Sequence, residues 1–375
     1  MNWFLSNLWI FISVGILAVV ASFARFRIET PNKYLLFGGL AIVFLALAAA
    51  AYVAFGPPGR VDTVDEPPND GPKPELPESA LVRLRLEWDS EGQANWPAAE
   101  TLAVVSNLTY DSPIDAKEAF EELGFDKFMT LVQNSMLGYA ISGEDVTVLA
   151  FRGTNANEIG DWIGNFGLSS TDTPHGPVHS GFHSAYYSMK DQVDRILDQQ
   201  KPKHLWITGH SLGGAIALMC AYDLAEAGHE IDGVITFGQP LVAREEFAQH
   251  IDSFLLGRYA RFVNGEDVIT RSPPGHAPCG SLVWFTASGL RRSVPKRRSY
   301  NALEVADPTS SQIYDEIKPL DAEEFQQLQI QMLSDNPQVG FRYGPPTAYS
   351  ARLLLIDDHA MTAYLAKVRE LLGVE

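Results

Sequence analysis

The chain predicts an α/β architecture, a mainly parallel sheet flanked by helices, and three observations predict it. An apolar, β-prone run, Leu205-Trp-Ile-Thr208, meets Gly209-His-Ser211-Leu-Gly213 and passes at once into the Ala/Leu-rich stretch 214–221, which has good helix propensity. Further β-prone runs end in turns near 154, 238 and 267, with helical spacing between them. Strands alternating with helices build a parallel sheet whose ligands bind at the strand carboxyl ends, and Ser211, Thr154 and Asp267 all fall at such ends.

A chain of 375 residues can hold one large domain with appendages, or two domains. Its formal net charge is −18, yet residues 1–60 carry Arg25, Arg27, Lys33 and Arg60 against Glu29 alone, so the body is strongly acidic. That sign repels phosphate backbones and argues against a nucleic-acid partner. Two cysteines, Cys220 and Cys279, make neither a disulfide framework nor a metal site, and no nucleotide or metal motif is present.

The front end predicts a membrane anchor of two spans, about 5–24 and 34–55, each long and apolar enough to cross a bilayer. The basic loop between them, with Arg25, Arg27 and Lys33, is expected on the cytoplasmic side, which puts both chain ends, and the catalytic domain, across the membrane. Residues 56–80 form a Pro-rich acidic linker: seven prolines within 56–79 are interspersed with Asp and Glu, a composition that stays extended and solvated.

From residue 81 a folded domain is expected to run to 375. Val82, Leu84, Leu86 and Trp88 alternate with charged residues, which predicts a half-buried strand; 97–108 has helical spacing; 138–151 reads as two strands joined by a turn at 142–145. Beyond Thr154, residues Ile159, Trp162, Ile163 and Phe166 recur at helical spacing in a short Gly-interrupted piece, which is either a core helix or a flap over a site. His179 and His183 read as structural. Residues 321–333 form an acidic, Gln-rich helix-like run, and the basic cluster 291–298 is either a solvated loop or a seat for anionic headgroups.

The chemistry centres on Ser211. Between a strand and a helix, a serine flanked by Gly209 and Gly213 is a nucleophile elbow, its hydroxyl lifted above the sheet at a strained backbone position. The backbone N–H of Leu212 at the helix start, and the N–H or hydroxyl of Thr154 on the neighbouring loop, are the expected donors to an oxyanion. A serine hydroxyl also needs an imidazole base and a carboxylate to orient it. Asp267 is the better acid, with Glu266 its rival; of the histidines beyond it, His359 is favoured over His276 because it precedes a C-terminal helix on a loop able to reach the elbow. His210, beside the serine, reads as positional.

These segments, Phe151-Arg-Gly-Thr154, Asp161-Trp162, Val178-His-Ser-Gly-Phe182, Gly209-His-Ser-Leu-Gly-Gly214, Phe237-Gly-Gln-Pro240, Val263-Asn-Gly-Glu-Asp267-Val268 and Asp358-His359, follow one another as in the class 3 lipases, which the chain resembles over about 95–372. The resemblance implies an α/β-hydrolase fold, Ser211, Asp267 and His359 as a triad, Thr154 and Leu212 as oxyanion hole, the piece around 155–166 as lid, and acyl esters of glycerides as substrates with no cofactor. The other readings are an idle lipase-like domain serving as a tethered binding module, and an acyltransferase or phospholipase A1. The N-terminal anchor and the long interval from Asp267 to His359 depart from the family's catalytic core.

Overall fold

The computed structural model describes residues 80–86, 88, 95–155, 158–255, 257–293, 317–334 and 358–374. All lie in the second of two compact units, 68–375. The two apolar runs expected to span a membrane and nearly all of the Pro-rich linker lie outside the described residues; among those described, no helix is long and apolar enough to cross a bilayer.

In chain order the elements are α1 (Ala80–Arg83), α2 (Trp96–Leu108), α3 (Pro113–Glu122), β1 (Lys127–Gln133), β2 (Met136–Gly143), β3 (Val146–Phe151), α4 (Ile159–Gly164), β4 (Ser170–Thr173), β5 (Gly176–His179), α5 (Ser180–Gln200), β6 (His204–His210), α6 (Leu212–Glu226), β7 (Gly233–Phe237), α7 (Glu245–Phe254), β8 (Tyr259–Asn264), β9 (Ser281–Thr286), β10 (Gly289–Ser293), α8 (Ala322–Ser334) and α9 (Met361–Leu372). The main sheet has the order β1-β2-β3-β6-β7-β8-β9-β10. Its centre, β3 through β9, is parallel, and an antiparallel strand or hairpin completes each edge.

Side-chain alternation divides the core between two faces of this sheet. Leu149, Phe151, Leu205 and Ile207 point to one face, where α5, α6 and α7 cover them. Val146, Val148, Ala150 and Trp206 point to the other, beneath α2, α3 and α9. Strands buried on both faces read as continuous apolar runs, which is why β3, β7 and β8 are buried at every position. Asn95 caps α2 by accepting from the Ala98 N–H at 3.0 Å, with Pro97 in the first turn where its missing N–H costs nothing.

The alternation at 82–88 does not make a strand. Residues 80–83 form a helical turn in which Ala80 and Leu84, four apart, are buried while Val82 is 55% exposed. Tertiary partners decide this: the Trp206 indole N–H donates to the Leu84 carbonyl at 2.7 Å, and Arg83 pairs with the buried Glu100. The described part of the basic cluster is likewise ordered. Arg291 and Arg292 stand in β10, their guanidinium carbons 5.9 and 5.8 Å from the ring centroids of Trp284 and Trp96.

Candidate active site

Ser211 sits between β6 and α6 with φ 57° and ψ −128°, a conformation an L-residue adopts only when its surroundings enforce it. Its N–H donates to the Phe237 carbonyl at 2.9 Å, fastening the elbow to the end of β7. Gly209 and Gly213 lie backbone to backbone, and a Cβ on Gly213 would also strike the Phe151 carbonyl; the turn closes only because both lack a side chain. Gly153 meets the same demand, with the Tyr110 hydroxyl, the His210 carbonyl and Ser211 Cβ filling the space where its Cβ would stand.

The structure brings the sequence-predicted acid and base together. His359 Nδ1–H donates to Asp267 Oδ2 at 2.8 Å, and both residues are buried. The other carboxylate oxygen accepts from the Ile269 N–H at 3.0 Å, so Asp267 opens the short helical turn 268–271 as its cap. Among the described residues neither His359 Nε2 nor Ser211 Oγ has a hydrogen-bond partner, although both are buried. Buried polar atoms without a partner call for an explanation, and His276 Nε2 and Thr236 Oγ1 share the condition. Glu266 is exposed and offers its N–H, not its carboxylate, to the loop, donating to Asp358 at 2.9 Å. His276 turns its Nδ1–H to the Pro274 carbonyl at 3.0 Å.

Two supporting residues, Tyr364 and Tyr110, were not legible as such, and His210 was legible as positional without its partners. Tyr364, on α9, donates from its hydroxyl to Asp267 Oδ2 at 2.6 Å and accepts from the Asn264 N–H at 3.0 Å. Burial, with the Asp267 charge beside it, pushes this phenol well above its usual range, so it remains a donor. His210 bridges Tyr110, 2.7 Å from its Nδ1, and the His359 carbonyl, 2.6 Å from its Nε2. A carbonyl only accepts, so Nε2 carries the proton and Nδ1 accepts from the phenol. Burial first, and the neighbouring His359 second, lower the His210 pKa well below the ordinary value and keep the ring neutral. The sole sequence signal for His210 was its place beside the serine; its partners are 100 and 149 residues away.

A cavity of about 630 Å³ opens beside the elbow, walled by Gly153, Thr154, Trp162, Phe166, Phe182 and Leu212. Of the four residues predicted for the flap, Trp162 and Phe166 face this space, with ring centroids 4.7 Å apart. Ile159 and Ile163 do not. They are buried on the other side of α4 with Val268, Ile269, Phe325, Leu328 and Met332, so α8 covers their face. Gln329 Nε2 donates to the Ile163 and Phe166 carbonyls at 3.1 and 3.0 Å, and Leu333 packs over Gly164. His179 donates from Nε2 to the Gly167 carbonyl at 2.6 Å and stacks on Phe166, which makes it a prop for the end of this segment; His183 stacks on Tyr187 instead.

Residues 148–277 match the model of the class 3 lipases. The lipase of Rhizomucor miehei is 32% identical over 45% of this chain and 50% of its own length, and the chloroplastic phospholipase A(1) DAD1 of Arabidopsis thaliana 31% identical over 38% and 39%. The chain thus spans about half or less of the curated relatives it matches. The solved Rhizomucor miehei triacylglyceride lipase is 26% identical, with a TM-score of 0.46 over 52% of this chain and 83% of that one. Over residues 148–277, which hold the elbow serine and the Thr154 loop on a mostly parallel sheet, this chain is similar to the class 3 lipases.

Proposed function

We propose that this protein hydrolyses carboxylic esters of lipids through an acyl-enzyme. The observation that carries the reading is the pair of buried, unpartnered atoms, Ser211 Oγ and His359 Nε2, with the far nitrogen of the imidazole bonded to Asp267. In the reaction Ser211 Oγ attacks the ester carbonyl while its proton passes to His359 Nε2. Asp267 holds the imidazole in the required tautomer and stabilises its cationic form. The N–H of Leu212 and the N–H or hydroxyl of Thr154 bind the oxyanion. The tetrahedral adduct collapses as His359 protonates the departing alcohol. Water then attacks the acyl-enzyme, giving its proton to His359, and the acid leaves as Ser211 is reprotonated. No step requires a cofactor.

In the same proposal α4 is a lid over the cavity, with Trp162 and Phe166 toward the acyl chain and α8 holding it in its present position. The relatives' names, a lipase and a phospholipase A(1), support glycerolipid esters as the substrate class. The apolar runs at 5–24 and 34–55 support a two-span membrane tether with the catalytic domain on the non-cytoplasmic side; release of the protein from membranes by alkaline carbonate would contradict it.

The test is labelling with a fluorophosphonate together with turnover of a p-nitrophenyl ester. The wild-type chain is expected to label and turn over. Ser211→Ala should do neither while keeping its thermal unfolding transition, with a rate loss on the order of 10⁶. A chain that stays unlabelled would instead be an idle binding domain.

A further inference from the structure

At the far end of the helix that starts beside Ser211, three side chains from three segments converge. Glu226 closes α6, His250 lies on α7, and His175 sits on the turn between β4 and β5. His250 Nε2 stands 2.9 Å from Glu226 Oε1 and His175 Nε2 stands 3.1 Å from Oε2. All three ligand atoms lie within 4.8 Å of one another. The two imidazoles are face to face, 3.5 Å between centroids and 5° from parallel, and so present their Nε2 edges to one carboxylate.

The arrangement is held by its neighbours. Tyr222 stands edge-on to both rings, at 6.0 and 6.2 Å, and Thr173 Oγ1 accepts from the His175 N–H at 3.2 Å while donating to the Gly176 carbonyl at 2.7 Å.

We propose that His175, His250 and Glu226 form a binding site for a divalent first-row transition metal, with Zn²⁺ the best match and the fourth position open to solvent. Two imidazole nitrogens and a carboxylate, with no thiolate, form a donor set that suits zinc. Zinc takes nitrogen and oxygen ligands at ~2.0–2.2 Å, which sets tetrahedral donors about 3.3 Å apart; the two nitrogen–oxygen distances, each to a different carboxylate oxygen, are close to this, and the stacked rings turn apart to bring both nitrogens onto one ion. The site is structural. The fifteen residues of α6 separate it from Ser211 by about 22 Å along the helix, too far to touch the reacting ester. The bound ion ties the β4–β5 hairpin and α7 to the end of α6, and that hairpin follows directly on Phe166 and Gly167 at the cavity wall.

The experiment is titration of the untagged full-length chain with Zn²⁺ by calorimetry, followed by thermal unfolding with and without the ion. One Zn²⁺ per chain and a raised unfolding midpoint are expected. His175→Ala, on a surface turn, and Glu226→Gln, which keeps the side chain's shape, should each weaken binding by about 100-fold and remove the midpoint rise. His183→Ala should bind as the wild type does. Absence of stoichiometric binding, or equal binding by His175→Ala and Glu226→Gln, would overturn the site. Neither readout depends on catalytic turnover, so this result and that of the serine test stand apart.

Discussion

On one side of Ser211, buried and half-buried groups are joined by directional hydrogen bonds: Tyr110 to His210, His210 to the His359 carbonyl, His359 to Asp267, and Tyr364 to Asp267. On the other side α4 is held by apolar packing against α8 and by one glutamine amide. The difference is one of tolerance. A buried hydrogen-bond chain loses much when one partner shifts by an ångström, because each group left unpaired bears its full desolvation cost. An apolar contact can slide, or be exchanged for a similar surface, at smaller cost. The chemistry proposed above uses the wall that cannot yield, and the proposed lid belongs to the wall that can.

The sharpest break of that contrast is Asp267→Asn, which keeps the shape and reverses the hydrogen bonding to His359. Turnover of a soluble ester should fall by about 10⁴-fold with little change in KM; a loss under tenfold would show that the carboxylate does not set the imidazole's tautomer. Next comes a pH effect on stability. His210 is neutral in the fold, its pKa below the ordinary value through burial and the His359 ring, so the unfolded chain binds the proton more readily. Its contribution is fully present above about pH 6.5 and is lost as pH falls, by about 1.4 kcal/mol per pH unit. His179 and His276, also lowered chiefly by burial, add the same sign, while Asp252, raised by burial to about 7, opposes it. Urea unfolding at pH 7.5 and 5.5 should show a smaller decline for His210→Gln than for wild type; equal declines would remove His210 from the rigid wall.

The smallest effect belongs to the yielding side. Gln329→Ala removes amide hydrogen bonds to the carbonyls of α4 and its exit, worth about 1 kcal/mol, and should raise turnover of a short, water-soluble ester by at most about fivefold. A decrease would mean that α8 holds α4 in the productive position. Short-ester kinetics on wild type and variant decide between the two.

The positions of Ser211, Asp267 and His359, and the sheet that carries them, were legible because each sits in a local pattern: a Gly-flanked turn, a strand end, a loop before a helix. Most of the supporting shell was not: Tyr110 and Tyr364 have nothing local to distinguish them from core residues, and His210, legible as positional, acts on partners 100 and 149 residues away. At 82–88 the period-two pattern misled. A stretch that short has its structure set by what meets it, here the Trp206 indole and Glu100. The flap was half legible: its periodicity gave a helix, but which face turned inward depended on α8, from a part of the chain some 160 residues away.

The strand that ends at Phe151 and the helix that begins at Leu212 meet as bare main chain, with no side chain between Phe151–Arg152 and Gly213. A gap set by peptide against peptide cannot be retuned by exchanging rotamers, and it does not adapt to what is bound. In the hydrolase proposed above, discrimination among acyl chains therefore falls to Trp162, Phe166 and Phe182, rings that can be trimmed or enlarged while the elbow keeps its dimensions.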